Sequence, residues 1–246
     1  MPELMSEYGV LTAKVIGAEG DDLIAYICEK IPDEDICIWS VDKDLTQLLE
    51  NDKRKVILIM PKMMTKFKKV YTTENFDRIE KKEVDLFNFS IESVDNSAVI
   101  NIIHDLTSKN YKHFPVDPTL EVITKIFGGD GSDKIPRIHH RATKSRVERL
   151  AERIRETFDW NQVKNLIDTG DPEFMRTLGE VTCEVLKVSD PEEIQRTQSN
   201  LYRNRTLIRL HTKVMPADLV TEMESSVKLT DRRKFNFFKF KKTFKS

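Results

Sequence analysis

The chain has 246 residues, with 40 Lys and Arg against 41 Asp and Glu, for a net charge of -1. Apolar residues make up 39% and charged residues 33%, a balance that excludes a disordered chain. No apolar run reaches the roughly 20 residues needed to cross a bilayer, so no membrane association is expected. Cys28, Cys37 and Cys183 stand alone without CxxC or metal spacing, and "MPELMSEYGV" has acids where a secretory leader needs bases. Reduced core thiols in a cytoplasmic protein are the reading.

In chain order, "TAKVIGA" (12–18) is a short β-rich run, and "DDLIAYICEKI" (21–31) has apolar residues on one helical face. "DICIWSV" (35–41) has the nearly unbroken apolar character of a buried parallel strand. "DLTQLLE" (44–50) is helical, "KVILIM" (55–60) is a strand, and "TKFKKVY" (65–71) alternates like an edge strand. Strand and helix in alternation predict an α/β fold with a parallel sheet. From about residue 72 the stretch "TTENFDRIEKKEVDLFNFSIESVDN" has no clear period and reads as an insert. Helices are then predicted at 95–109, 118–127, 143–158, 171–187, 190–211 and 216–228. Two of these begin "DPEF" and "DPEE", an Asp cap followed by Pro at the first helical position. A boundary at "FPVDP" separates an α/β domain (1–115) from a mainly helical domain (116–246) that ends in a basic tail.

The near-zero net charge hides an uneven distribution. Seven basic residues and no acid lie between Lys53 and Lys69, seven against two between Arg137 and Arg155, and seven against one between Asp231 and Ser246. Each block alone reads equally well as a solvated face; three together point to an anionic polymer such as nucleic acid.

The acids fall at junctions. Glu19, Asp21 and Asp22 stand between the first predicted strand and its helix, and Asp42 and Asp44 stand after the second. In a parallel sheet both junctions lie at the carboxyl edge, where open α/β folds place their sites. Asp130 and Asp133 sit in the glycine-rich turn "IFGGDGSDKIP" (126–136). Any one of these acids can simply cap a helix start. A Glu with two Asp at one junction and an Asp-x-Asp at the next exceeds that need. Crowded carboxylates call for a hard divalent cation, and magnesium suits phosphate chemistry. Two such ions about 4 Å apart would activate water and steady the leaving oxygen in phosphodiester hydrolysis.

Three of these stretches resemble one family. "GAEGDDLIAYI", "SVDKDLTQLL" and "GGDGSDKIP" are similar, in the same order, to motifs of the 5′ nuclease (flap endonuclease) superfamily. The helical remainder is most similar to its T-even bacteriophage branch, whose members combine ribonuclease H with 5′-to-3′ exonuclease and flap cleavage. The resemblance implies a PIN-like sheet of 5′ nuclease type followed by a helical DNA-binding domain with a helix–turn–helix element. It implies two magnesium ions, with manganese able to substitute, held by Glu19, Asp21, Asp22, Asp42, Asp44, Asp130 and Asp133. Asp21, Asp22, Asp42 and Asp44 would carry catalysis. The implied substrates are 5′ flaps, nicked duplexes and RNA–DNA hybrids in phage DNA replication, in the host cytoplasm if the source is viral.

The sequence departs from the family in two places. The family opens on a strand of "L-I-D-G" type bearing a central ligand, and Met1 falls after it. The resemblance therefore implies an incomplete sheet, a chain poorly active alone, and a separate N-terminal polypeptide as a candidate partner. The family's glycine hairpin after the second acid is also replaced, by "KIPRIHHRATKSRVERLAERI". Here Lys134, Arg137, His139, His140, Arg141, Lys144 and Arg146 are the expected DNA contacts, as point charges on phosphates. The tail "RRKFNFFKFKKTF" is read as an amphipathic element, a dock for a single-strand binding protein or sliding clamp, or a stacking surface for DNA. Two other readings stay open: a Toprim-like domain, from "EG…DKD", and a non-catalytic DNA-binding remnant or subunit of a split nuclease.

Overall fold

The computed structural model describes residues 12–51, 54–60, 68–73 and 111–227. They divide into two compact units. One holds the described residues up to Val116 and those from Ala217 onward; the other is Asp117–Pro216. The first boundary falls beside "FPVDP". The final helix groups with the sheet, whereas the sequence placed it in the helical domain. The expected helix at 95–109, the insert that precedes it and the aromatic-basic tail lie outside the described residues.

The first unit is an α/β arrangement around an open sheet. Helix α1 (Gly20–Lys30) leads to β1 (Ile36–Trp39), a 3-10 helix (Lys43–Leu48), the two-residue β2 (Glu50–Asn51), β3 (Lys55–Met60), β4 (Lys68–Thr73) and β5 (Tyr111–Val116). The strand order is β1-β3-β4-β5, with β2 also on β3. β1 runs parallel to β3, with Ile36 opposite Val56, and β4 runs parallel to β5. The β3–β4 and β2–β3 pairings are antiparallel, so the sheet is mixed rather than wholly parallel. β3 is central, and Val56, Ile57, Leu58 and Ile59 are all at most 2% exposed, which is why its sequence shows no alternation. Each such side chain contributes roughly 1.5–3 kcal/mol on burial. Ala25, Tyr26 and Cys28 bury one face of α1, and Leu45, Leu48 and Leu49 are buried in and after the 3-10 helix. The last helix, α7 (Ala217–Ser226), buries Met223, and its Glu224 pairs with Lys30 of α1 at 2.6 Å.

Two strand expectations are corrected. "TAKVIGA" forms no strand; Thr12–Val15 has no ladder partner among the described residues, and Gly17, at φ +86°, makes a turn into α1. "TKFKKVY" is not an edge, because β4 is flanked by β3 and β5. β5 escaped the sequence reading because Pro115 interrupts it. It ends the strand order, where a missing N–H is tolerated.

The second unit is helical: α2 (Pro118–Gly128), α3 (Lys144–Thr157), α4 (Trp160–Thr169), α5 (Pro172–Leu186) and α6 (Pro191–Ile208). Asp117, Asp171 and Asp190 each cap a helix whose next residue is proline, and each carboxylate accepts from first-turn N–H groups. α4 was not anticipated. Asp159 caps it, and Gly170, left-handed at φ +63°, closes it. Val122, Ile123, Leu150, Ile154, Met175 and Leu201 belong to one continuous core that joins the helices.

Candidate functional site

Glu19, Gly20, Asp21, Ile24, Ser40, Asp42 and Leu45 line one open cleft of about 330 Å³ in the first unit. Local structure explains the meeting. Glu19 is the extended residue before α1, which puts Asp21 and Asp22 in the first turn. Ser40 and Asp42 follow the carboxyl end of β1, and Asp42 starts the 3-10 helix that carries Asp44 in its first turn.

Capping accounts for part of this acidity. Asp22 Oδ2 accepts from the Glu19 N–H at 3.0 Å, and Asp42 Oδ1 accepts from the Asp44 N–H at 2.8 Å. The Asp42 N–H in turn donates to Ser40 Oγ at 3.1 Å. Asp21 is different. Its Oδ1 accepts from the Asp22 N–H at 3.0 Å, yet burial pushes its carboxyl above the usual range, and the Asp22 and Glu19 charges add to that rise. Among the described residues, no cationic side chain pairs with Asp21 or Asp42. Hard oxygen donors from two segments, with one carboxylate raised by burial and like charge, are the donor chemistry that a magnesium ion relieves.

Asp130 and Asp133 belong to the second unit, in the loop between α2 and α3. The Asp130 N–H donates to the Ile135 carbonyl at 2.9 Å, and the Ile135 N–H returns to the Asp130 carbonyl at 2.8 Å, closing a tight turn. Gly129 permits this closure, since at φ +72° a Cβ would lie 2.4 Å from the Ile135 carbonyl oxygen. Asp133 and Lys134 are exposed at the turn, with Lys134 left-handed at φ +58°. The buried Asn204 of α6 ties both sides of the loop, its Nδ2 donating to the carbonyls of Ile126 at 2.9 Å and Pro136 at 2.8 Å. Asn200 Nδ2 donates to the Ile138 carbonyl at 2.8 Å. These amide clamps fix the loop on both sides.

The Asp130 carboxylate is engaged. Lys125 Nζ donates to Oδ2 at 2.6 Å, the Ser132 N–H donates to Oδ1 at 2.9 Å, and the Ser132 hydroxyl donates to the same oxygen. The Lys125 ammonium first, then Ser132, hold its pKa down at about 2.

The expected DNA contacts separate into two groups. Lys134, Arg137, His140 and Lys144 are exposed. Arg141 instead caps the end of α5, donating to the carbonyls of Leu186 and Lys187. His139 is packed under the loop. Its Nδ1 accepts from the Arg141 N–H at 3.1 Å and its ring lies 4.1 Å from that of His140. Burial, then the neighbouring His140, lower its pKa. Arg146 is half-buried and directs Nη1 at the Arg141 carbonyl at 3.5 Å. Sequence reasoning missed Ser40, Lys125 and Asn204. Only Lys125 left a signal, as a base in the last turn of a helix that ends at an acidic loop.

No known family pattern, curated protein or solved structure matches the chain.

Proposed function

We propose that this chain is a magnesium-dependent phosphodiester hydrolase of 5′ nuclease type, acting as exonuclease and flap endonuclease on DNA and on RNA primers in hybrids during phage DNA replication. The observation that carries the reading is the cleft shared by Glu19, Asp21 and Asp42, in which Asp21 is crowded by like charge and, among the described residues, paired to no base. Glu19, Asp21, Asp22, Asp42 and Asp44 would hold the ions in this unit; Asp130 and Asp133, the other two acids of the resemblance, lie in the loop between α2 and α3 of the second unit. A bound magnesium ion supplies activation of water and charge neutralisation at phosphate. The chain's own residues bind and orient. Ser40 and the Asp44 N–H hold Asp42 in place through hydrogen bonds, and the α1 backbone fixes Asp21 and Asp22. The exposed Lys134, Arg137, His140 and Lys144 would take phosphates as sequence-independent contacts.

The test is cleavage of a labelled 5′-flap duplex by the purified chain across a magnesium and manganese titration. Metal-dependent release of the flap, lost in Asp21→Asn and Asp42→Asn, is the expected result. Cation binding by the cleft without cleavage sends the reading to its alternative, a DNA-binding remnant or subunit of a split nuclease. The engagement of Asp130 by Lys125 and Ser132 favours that alternative.

A further inference from the structure

Three arginines lie between Lys134 and Arg146, and two of them, Arg141 and Arg146, turn their guanidinium groups to backbone carbonyls. Arg137 does not. It is exposed, and among the described residues no carboxylate pairs with it. Its backbone, by contrast, is held on several sides. The carbonyl before it, of Pro136, accepts from Asn204 Nδ2 at 2.8 Å, and the carbonyl after it, of Ile138, accepts from Asn200 Nδ2 at 2.8 Å. The Ile138 N–H donates to the Phe127 carbonyl at 3.2 Å, and the Ile138 side chain is buried. Gly129 comes so close that a Cβ there would lie 2.8 Å from the Arg137 nitrogen. Asn200 and Asn204 are four residues apart on α6, so they share one face of that helix. Asn204 is fully buried, and its Oδ1 accepts from Nε and Nη2 of Arg203, which sets the direction of its amide.

We propose that Asn200 and Asn204 are positioning residues for nucleic-acid binding: they hold the carbonyls on either side of Arg137, so that its guanidinium meets a backbone phosphate from a loop already in place. This rests on the reading that the chain binds nucleic acid. A guanidinium offers a phosphate two parallel N–H donors, a geometry that depends on where its backbone stands. Ordering a loop at the moment of binding costs affinity, and a loop ordered beforehand avoids that cost. Lys144 serves as the contrast. It is exposed at the start of α3, outside the pair of clamped carbonyls, and its ammonium meets a phosphate as a point charge on a flexible stem.

The test is a pair of double-mutant cycles on the full chain, read by fluorescence anisotropy of a labelled 5′-flap duplex in chelator, where the DNA stays intact. Arg137→Ala is expected to weaken binding about tenfold in the wild-type background. In the Asn200→Ala background, where the Ile138 carbonyl has lost its donor, the same substitution is expected to cost about threefold or less. Lys144→Ala is expected to cost the same in both backgrounds. Asn200 is half-buried and its removal leaves the Asn204 bonds in place; if the alanine variant fails to fold by circular dichroism, Asn200→Leu, which fills the space without a donor, takes its part in the cycle. An equal cost of Arg137→Ala in both backgrounds overturns the positioning role and leaves the nucleic-acid reading standing. So does a loss at Lys144 that matches the loss at Arg137, since that marks Asn200 as structural support for the whole stretch. An Arg137→Ala variant that binds as the wild type does also overturns the proposal. Absence of DNA binding by the wild type overturns the proposal and the reading together.

Discussion

The acid cleft and the acid loop are built from the same residue type and differ in how the charge is met. In the cleft, Asp21 has a backbone N–H and two acidic neighbours, and its carboxyl is pushed up. In the loop, Asp130 has a lysine and a serine, and its carboxyl is held near 2. The first arrangement stores electrostatic cost that an outside cation can remove. The second is already neutralised from within. The contrast bears on the proposed function: the cleft carboxylates would gain from an added cation, whereas Asp130 already has one in Lys125. It also gives the two regions opposite signs of linkage. A carboxyl raised in the folded state loses stability as pH rises through its folded pKa. A lowered one contributes stability above its ordinary 3.8 that is lost as pH falls through about 2.

The largest effect that would break the contrast comes from Asp21→Asn. It is expected to weaken manganese binding at the cleft about a hundredfold while raising the melting temperature in chelator, because the amide carries no charge for burial to penalise. Titration and thermal melts of the same preparation check both signs. A variant that melts lower in chelator would show that Asp21 is structural. Next is Gly129→Ala in the loop. A Cβ there meets the Ile135 carbonyl oxygen at 2.4 Å and the Arg137 nitrogen at 2.8 Å, at a φ of +72°. Urea unfolding is expected to show a loss of about 3 kcal/mol. A neutral outcome would mean that the loop is not held as tightly as the Asp130–Ile135 pairing requires.

A smaller pair of substitutions separates binding from structure within the basic stretch. Arg141→Ala leaves the carbonyls at the end of α5 without their donor and is expected to cost about 1–3 kcal/mol of stability. Arg137→Ala is expected to stay within about 0.5 kcal/mol of wild type and to reduce the slope of log affinity for flap DNA against log salt by about 0.9. If Arg137→Ala leaves the slope unchanged, that residue makes no phosphate contact.

Much of this was legible in the sequence because it is local. Asp-Pro announces α2, α5 and α6 within three residues of text, and clustered acids at element junctions announce the cleft. What was not legible is long-range. Arg141 looked like a phosphate contact until the end of α5, 45 residues away, was seen to need its guanidinium. Asn204 reads as an ordinary polar residue of α6, and its role depends on carbonyls 68 and 78 residues earlier. Lys125 is close in sequence to Asp130, yet only the turn set by Gly129 brings the two together. "TAKVIGA" has strand composition but, among the described residues, no neighbour to pair with, and composition alone does not make a ladder.

The smallest effect concerns His139, which the basic stretch presents as a charge and the structure buries. Burial and His140 lower its pKa below the usual 6.5. Below that value the unfolded chain takes up a proton that the folded chain resists, so stability falls as pH drops from 6.5 toward the lowered folded pKa. Glu193 faces Nε2 at 3.8 Å and opposes the shift, while Arg141 and Arg146 on the loop and α3 reinforce it. His139→Asn, whose side-chain oxygen can still accept the Arg141 N–H, is expected to flatten the stability profile across this window. Urea midpoints measured through the pH range read this out. An unflattened profile would place the titrating group elsewhere and return His139 to the set of residues able to meet DNA as a cation.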